Sequence, residues 1–258
     1  MQKLKNVLLG LIIPVIIVLL WWFLTNFTDT PETILPKISS VFAAAQELWS
    51  TGSLQEDLSI SLQRVILGYL ASAAIGLILG TVTGMIPVVK KLLNPTLTTI
   101  RQIPLMAWIP LIILWCGIGE GSKIIIIVIG AVFPIYVNTQ AGIASTPQEY
   151  IEVAKLYKLN TWQTFTRVYL PHALPSMQTG LKLGLGTAWM AVVAAELIAA
   201  TSGIGYKMSY ARTLMQSDRV ILYMILIGLI GIIMDKILGL IFYAVTPWER
   251  KGKGKDEK

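Results

Sequence analysis

The chain has 258 residues, 55% of them apolar and only 14% charged, with a mean hydropathy of +0.69. A soluble domain of this length cannot bury so much apolar side chain, so the composition excludes an ordinary water-soluble enzyme and makes a bilayer the natural solvent. The net charge of +7 sits in short loops and a basic tail, a topology pattern that does not argue for nucleic-acid binding.

Windows of roughly 20 apolar residues, enough to cross a hydrocarbon core of about 30 Å as a helix, occur six times, at 7–27, 65–89, 102–118, 124–144, 177–200 and 220–245. The first is too long for a signal-peptide apolar region and no small-residue cleavage site follows it, so it is expected to stay as a span. Pro31 and Pro36 break the next segment. Residues 39–49 then form an amphipathic pattern through Val41, Phe42, Ala45, Leu48 and Trp49, which suits either a helix on the membrane surface or a lid over the span ends.

The second span carries Gly68, Ser72, Gly76, Gly80 and Gly84 at intervals of four. On a helix these form one ridge with little side chain, and Gly76, Gly80 and Gly84 are the expected sites of close helix packing. Gly180, Gly184 and Ala188 repeat the device in the fifth span. Pro104, Pro110 and Pro134 each remove a helix hydrogen bond within a span. The lone Cys116 is expected to pack as a small apolar residue, and His172 has no Cys or carboxylate company that would make a metal site.

Between the fourth and fifth windows, residues 145–175 are polar enough to stay in water. Thr146, Pro147 and Glu149 have the form of a capping box that starts a helix. Tyr150, Val153, Ala154 and Tyr157 follow at i, i+3, i+4 and i+7 as one apolar stripe. After Asn160, Thr161 can cap a second short helix that carries Trp162, Phe165 and Val168 and stops before Pro171. Two short helices at an angle make a knob suited to a groove on another protein.

Thirteen Lys and Arg residues fall on one side of the alternating spans, at the N-terminus, at 90–101, at 155–167 and from Arg250 onward. Six fall on the other, at Lys37, Arg64, Lys123, Lys207, Arg212 and Arg219. This bias predicts that the knob and both termini face the cytoplasm. The tail 249–258 is expected to be disordered. Lys182 and Glu196 lie near opposite ends of the fifth span, and Asp235 and Lys236 lie in the sixth. Such charges are functional candidates, and Asp235 is placed to pair with Lys182.

Glu152, Val153, Ala154, Lys158, Val168, Leu170 and Pro171 resemble the EAA loop of binding-protein-dependent ATP-binding-cassette importer permeases, a pattern of E-A-A, three residues, G, nine residues and I-x-L-P. Lys158 stands at the usual Gly, so either a left-handed turn is made at a cost of roughly 1–2 kcal/mol or the first helix runs on to Asn160. The similarity extends over about 61–243, in the stretches 61–68, 101–104, 109–119, 133–139 and 195–198. It is nearest to permeases for aliphatic sulfonates, taurine, nitrate and bicarbonate.

The resemblance implies an all-α integral membrane protein of the prokaryotic plasma membrane, with six transmembrane helices in the type I importer fold and the first span at its flank. It implies two permease copies around one pathway, a separate ABC ATPase subunit that carries ATP and Mg, and an extracytoplasmic solute-binding protein. The coupling residues it points to are Tyr150, Glu152, Val153, Ala154, Tyr157, Lys158, Leu170 and Pro171. Asn138, Lys182, Trp189 and Glu196 are the candidate pathway residues. The chain has no G-x-x-x-x-G-K-[ST] loop, in keeping with a non-hydrolytic subunit. A thiamine-precursor pyrimidine importer of the same architecture, an ion-coupled secondary transporter and a membrane scaffold are the alternatives. The secondary transporter would need inverted repeats and midplane carboxylates.

Overall fold

The computed structural model describes residues 2–245, and side chains from Leu9 to Ala244; the expected disordered tail 249–258 lies outside the described residues. The described chain is helical: α1 (Gln2–Phe27), α2 (Ile38–Ser50), α3 (Ser53–Met85), α4 (Pro87–Gln102), α5 (Leu105–Cys116), α6 (Glu120–Ala144), α7 (Gln148–Leu156), α8 (Thr161–Thr164), a π-helical turn (Phe165–Tyr169), α9 (Leu170–Ala199), α10 (Ile204–Thr213) and α11 (Ser217–Val245). Five helical stretches are long and apolar enough to span a bilayer: α1, α3, α6, α11 and the run Thr161–Ala199. The sixth candidate is the pair α4–α5, which is bent by 97°.

The small-residue ridge decides the packing. A Cβ placed on Gly68, Gly76, Gly80 or Gly84 would meet Ile127, Ile135, Thr139 or Ile143 at 2.5–2.8 Å. Each partner lies 59 positions further along the chain, so α3 and α6 run parallel and in register for four turns. On its other side α6 meets α9 in antiparallel fashion: Gly184 faces Ile135, Gly180 faces Asn138, and Gly142 faces Ser176. Ile135 is thus wedged between two glycines on different helices, a close approach that only residues without side chains permit. Hydroxyls inside this layer bond back along their own helices, as Ser72 does to the Gly68 carbonyl (2.6 Å) and Thr83 to Leu79 (2.7 Å).

Several expectations change. The second span begins twelve residues earlier than its apolar window, at Ser53, because Asp57, Ser61 and Arg64 are buried by partners rather than held in water. The third window, 102–118, is not one straight crossing. A bend at Ile103–Pro104 leaves α5 with twelve residues, about 18 Å of rise and short of a full hydrocarbon core. The segment 39–49 is a lid: α2 buries Val41, Ala44 and Leu48 against α3 and α11, while Phe42 and Trp49 face outward. Cys116 is exposed at the end of α5. The first span stands at the flank, held near its end by the Trp21 indole N–H bonded to the Pro36 carbonyl at 2.9 Å.

Candidate coupling knob and solute pathway

The knob starts one residue later than its capping pattern. Pro147 is extended (ψ 139°) and serves as the N-cap of α7, so it is not the first helical residue. The Thr146 hydroxyl is left buried without a partner, and the capping box with Glu149 does not form. At the other end the helix stops at Leu156, and Lys158 takes φ +53°. The Leu159 N–H reaches the Ala154 carbonyl (3.0 Å) and the Lys158 N–H reaches Lys155 (2.9 Å), the two bonds of a Schellman turn. The turn is therefore made by Lys in place of Gly, and the alternative of a helix running on to Asn160 does not occur.

Asn160, not Thr161, caps the second helix. Its Oδ1 accepts from the Gln163 N–H (2.8 Å), and its own N–H donates to Gln163 Oε1 (3.1 Å). Pro171 does not end that helix. Its ring would crowd the carbonyl four residues back, but the preceding turn widens to π form, with the Leu170 N–H bonded to Phe165, and the chain continues as α9.

The stripe on α7 divides in two. Ala154 is 2% exposed and faces the body, whereas Tyr150, Val153 and Tyr157 point outward. Leu156 (80% exposed) and Trp162 (70%) extend this uncovered apolar surface. Leu156 escaped the sequence reading, although it lies three residues after Val153. Leu170, Phe165 and Tyr169 pack into a cluster of Ile143, Ala173 and Met177, which fastens the knob to the membrane body. A groove of about 480 Å³ between Tyr150, Val153, Arg167, Val168, Pro171 and His172 opens beside it. Glu152, Lys155 and Lys158 of the knob are exposed.

The pathway candidates do not form one cluster. Asn138 lines a cavity beside the α4–α5 bend, with its amide Nδ2 donating to the Pro134 carbonyl (2.8 Å). Trp189 is buried and its indole N–H ties α9 to the Ile227 carbonyl of α11 (2.9 Å). Lys182 is exposed and lies over Gly239. The suggested Lys182–Asp235 ion pair is absent from the described residues. Asp235 and Lys236 instead border an apolar groove of about 620 Å³ between α9 and α11.

Glu196 is enclosed, not open to a cavity, because the far end of the bundle is built around it. Its side chain is fully buried and takes hydrogen bonds from Arg64 Nη1 (2.7 Å), Ser61 Oγ (2.8 and 2.9 Å) and the Gly205 N–H (2.9 Å). Arg64 commits every N–H it has, the remainder going to Glu120 (two at 2.7 Å) and to the Ser202 carbonyl (2.8 Å) and hydroxyl (2.9 Å). Ser61 in turn accepts the Ile204 N–H (3.0 Å). This network joins α3, α6, α9 and the start of α10, whose N-terminal N–H groups favour the carboxylate. Gly203 has φ +102°, and a Cβ there would lie 2.3 Å from Glu196 Oε1, so the chain can turn over the carboxylate only as glycine. Sequence reading scored Glu196 by its distance from the span end and missed that Ser61 and Arg64, one helical turn apart, present a hydroxyl and a guanidinium on one face.

The chain is 37% identical over 96% of its length to a putative ABC transporter permease of Methanocaldococcus jannaschii, 95% of which is covered. It is 34% identical over 95% of its length to the putative aliphatic sulfonates transport permease SsuC of Bacillus subtilis (89% covered). The taurine transport system permease TauC of Escherichia coli is 32% identical over 90% of the chain, with 86% covered. Among solved structures, an amino acid ABC transporter aligns with a TM-score of 0.58 at 16% identity, covering 80% of this chain and 97% of that one. The MetNI methionine ABC transporter, in an inward-facing conformation, aligns at 0.51 and 20%, covering 73% and 95%; both show a shared type I importer fold. The model of the binding-protein-dependent transport system inner membrane component family matches residues 64–251, and the chain belongs to that family as a non-catalytic permease subunit of an ABC importer.

Proposed function

We propose that two copies of this chain enclose the pathway for a small oxyanion, an aliphatic sulfonate or taurine, in the plasma membrane of a prokaryote. A separate ABC ATPase, holding ATP and Mg, grips the knob formed by residues 150–171 from the cytoplasm. An extracytoplasmic solute-binding protein delivers the cargo to the opposite end. Both termini lie in the cytoplasm. The observation that carries the coupling reading is the uncovered apolar surface of Tyr150, Val153, Leu156, Tyr157 and Trp162 on a knob fastened by Leu170 and Phe165. An exposed surface of this kind on a rigid mount suits insertion into a partner groove. The cargo reading is supported by relatives named as sulfonate and taurine permeases.

The test reconstitutes the permease, its ATPase and its solute-binding protein in proteoliposomes. Glu152→Lys reverses a charge beside the gripping surface, and Ala154→Asp forces α7 off the body. Both are expected to abolish taurine or alkanesulfonate uptake while leaving membrane insertion intact and ATP hydrolysis no longer linked to transport. Normal uptake by both variants removes the knob from the mechanism. Uptake of nitrate by an assembly that ignores sulfonates would keep the mechanism and change the cargo.

A further inference from the structure

The bend between α4 and α5 opens a cavity of about 370 Å³. Its α6 wall runs from Ile129 to Asn138, at mid-length of a helix that extends from Glu120 to Ala144, while Arg101, Ile103 and Pro104 at its rim are exposed. Most of the wall is apolar, and no acid lines it. Three features of one electrical sense meet there. Arg101, in the last turn of α4, makes no ion pair or hydrogen bond with any described residue. The Trp108 indole N–H is buried without an acceptor. The third is the start of α5 at Leu105, beside the extended N-cap Pro104, where no side chain caps the helix. By helix geometry the N–H groups of Leu105 and Met106 have no partner within their own helix.

A buried donor without a partner is costly, and an uncapped helix start beside a free guanidinium attracts negative charge. Asn138, the pathway candidate on this wall, gives one amide N–H to the Pro134 carbonyl and keeps its second N–H and its oxygen for a guest. We propose that this cavity is an oxyanion site, in which Arg101 and the Trp108 N–H, with the first N–H groups of α5, hold the sulfonate or equivalent group of the cargo on its way through the permease. The site rests on the oxyanion reading above and assigns it residues. The apolar wall from Ile103 to Phe133 suits the short alkyl part of a sulfonate.

The experiment uses the complete assembly in proteoliposomes of phosphatidylcholine, with labelled taurine, ethanesulfonate and nitrate as probes. Arg101→Gln is expected to lower uptake of every anion at least tenfold, with part of the loss restored in Arg101→Lys. Trp108→Phe keeps the ring and removes the N–H, and about a tenfold loss is expected, the size of one charge-assisted hydrogen bond. Co-purification of the ATPase with each variant checks that the assembly is intact. If the wild type carries the anions and both Arg101→Gln and Trp108→Phe match it, the site is overturned and the oxyanion reading stands. Uptake of none of the anions by the wild type overturns both. If the losses appear only when phosphatidylglycerol is added, the group held is a lipid phosphate and the proposal is overturned.

Discussion

Replacing Glu196 by Gln changes one atom and tests the network at the far end of the bundle. Arg64, Ser61 and Gly205 all donate to the carboxylate, which is an acceptor only. An amide keeps one oxygen and turns the other position into a donor. Placed toward Arg64 it opposes a guanidinium N–H, and placed toward Gly205 it opposes a backbone N–H. Either way a buried donor is orphaned, at about 1–3 kcal/mol, and a charge-assisted bond of about 1.5–3 kcal/mol is lost. The sum is about 2.5–6 kcal/mol, which brackets the roughly 3–5 kcal/mol typical of breaking a buried pair. At roughly 2–4 °C per kcal/mol for a chain of this size, the apparent Tm should fall by at least about 5 °C. The assay is heating of the detergent-purified protein at one scan rate, followed by size exclusion, since unfolding of such proteins is a rate process. Glu120→Gln is the control. Glu120 also bonds Arg64, but its side chain is 60% exposed, so the expected loss is under about 1 kcal/mol. Equal shifts for the two variants would refute the claim that burial makes Glu196 the centre of the network.

Gly80→Val should abolish folded yield, because even a Cβ at that position lies 2.5 Å from Thr139 Cβ and 2.8 Å from the Tyr136 carbonyl. Gly186→Ala, where a Cβ meets nothing within 4 Å, should be neutral or gain up to about 1 kcal/mol, and equal yields from the two would sink the ridge argument. Lys158→Gly relieves the left-handed turn at φ +53° and should raise the apparent Tm by a few degrees, roughly 0.5–1 kcal/mol after the greater freedom of Gly in the unfolded chain; a lower Tm would show that Lys158 makes a compensating contact. Trp189→Phe removes the bond to the Ile227 carbonyl and should cost about 1 kcal/mol in the same assay, while an unchanged Tm would mean α9 and α11 do not depend on it.

Much of the helical layer was legible because packing in a bilayer selects residue size. The four-residue spacing from Gly68 to Gly84 named the face of α3 that meets α6, and Gly180 and Gly184 named the face of α9. Hydropathy failed where polar groups satisfy one another. Asp57 and Arg64 ended the second window at Val65, although Arg64 is buried by bonds to Ser202, Glu120 and Glu196 and Asp57 is buried where it accepts the Gly203 N–H. Local rules misjudged the knob for a different reason. Pro171 signals a stop only if the preceding turn stays α-helical, and the five-residue π turn removes that condition. Thr146 carries the chemistry of a cap, but Pro147 adopts extended backbone and takes the position itself. The cavity at the α4–α5 bend was hidden because Arg101, Trp108 and Asn138 come from three helices, and only the 97° bend brings them to one place.

The π turn has a mechanical consequence. Because the helix does not break at Pro171, Thr161–Ala199 forms one rod of 39 residues, about 58 Å long, with the exposed Trp162 at one end and the enclosed Glu196 near the other. A tilt imposed at the Trp162 end would be carried along the continuous helix toward the Glu196 end. The fulcrum is the line of glycines at 180 and 184, where Ile135 bears on the shaft. A few degrees of rocking about that point would move the two tips in opposite directions, so a push at the Trp162 end becomes a pull at the Glu196 end.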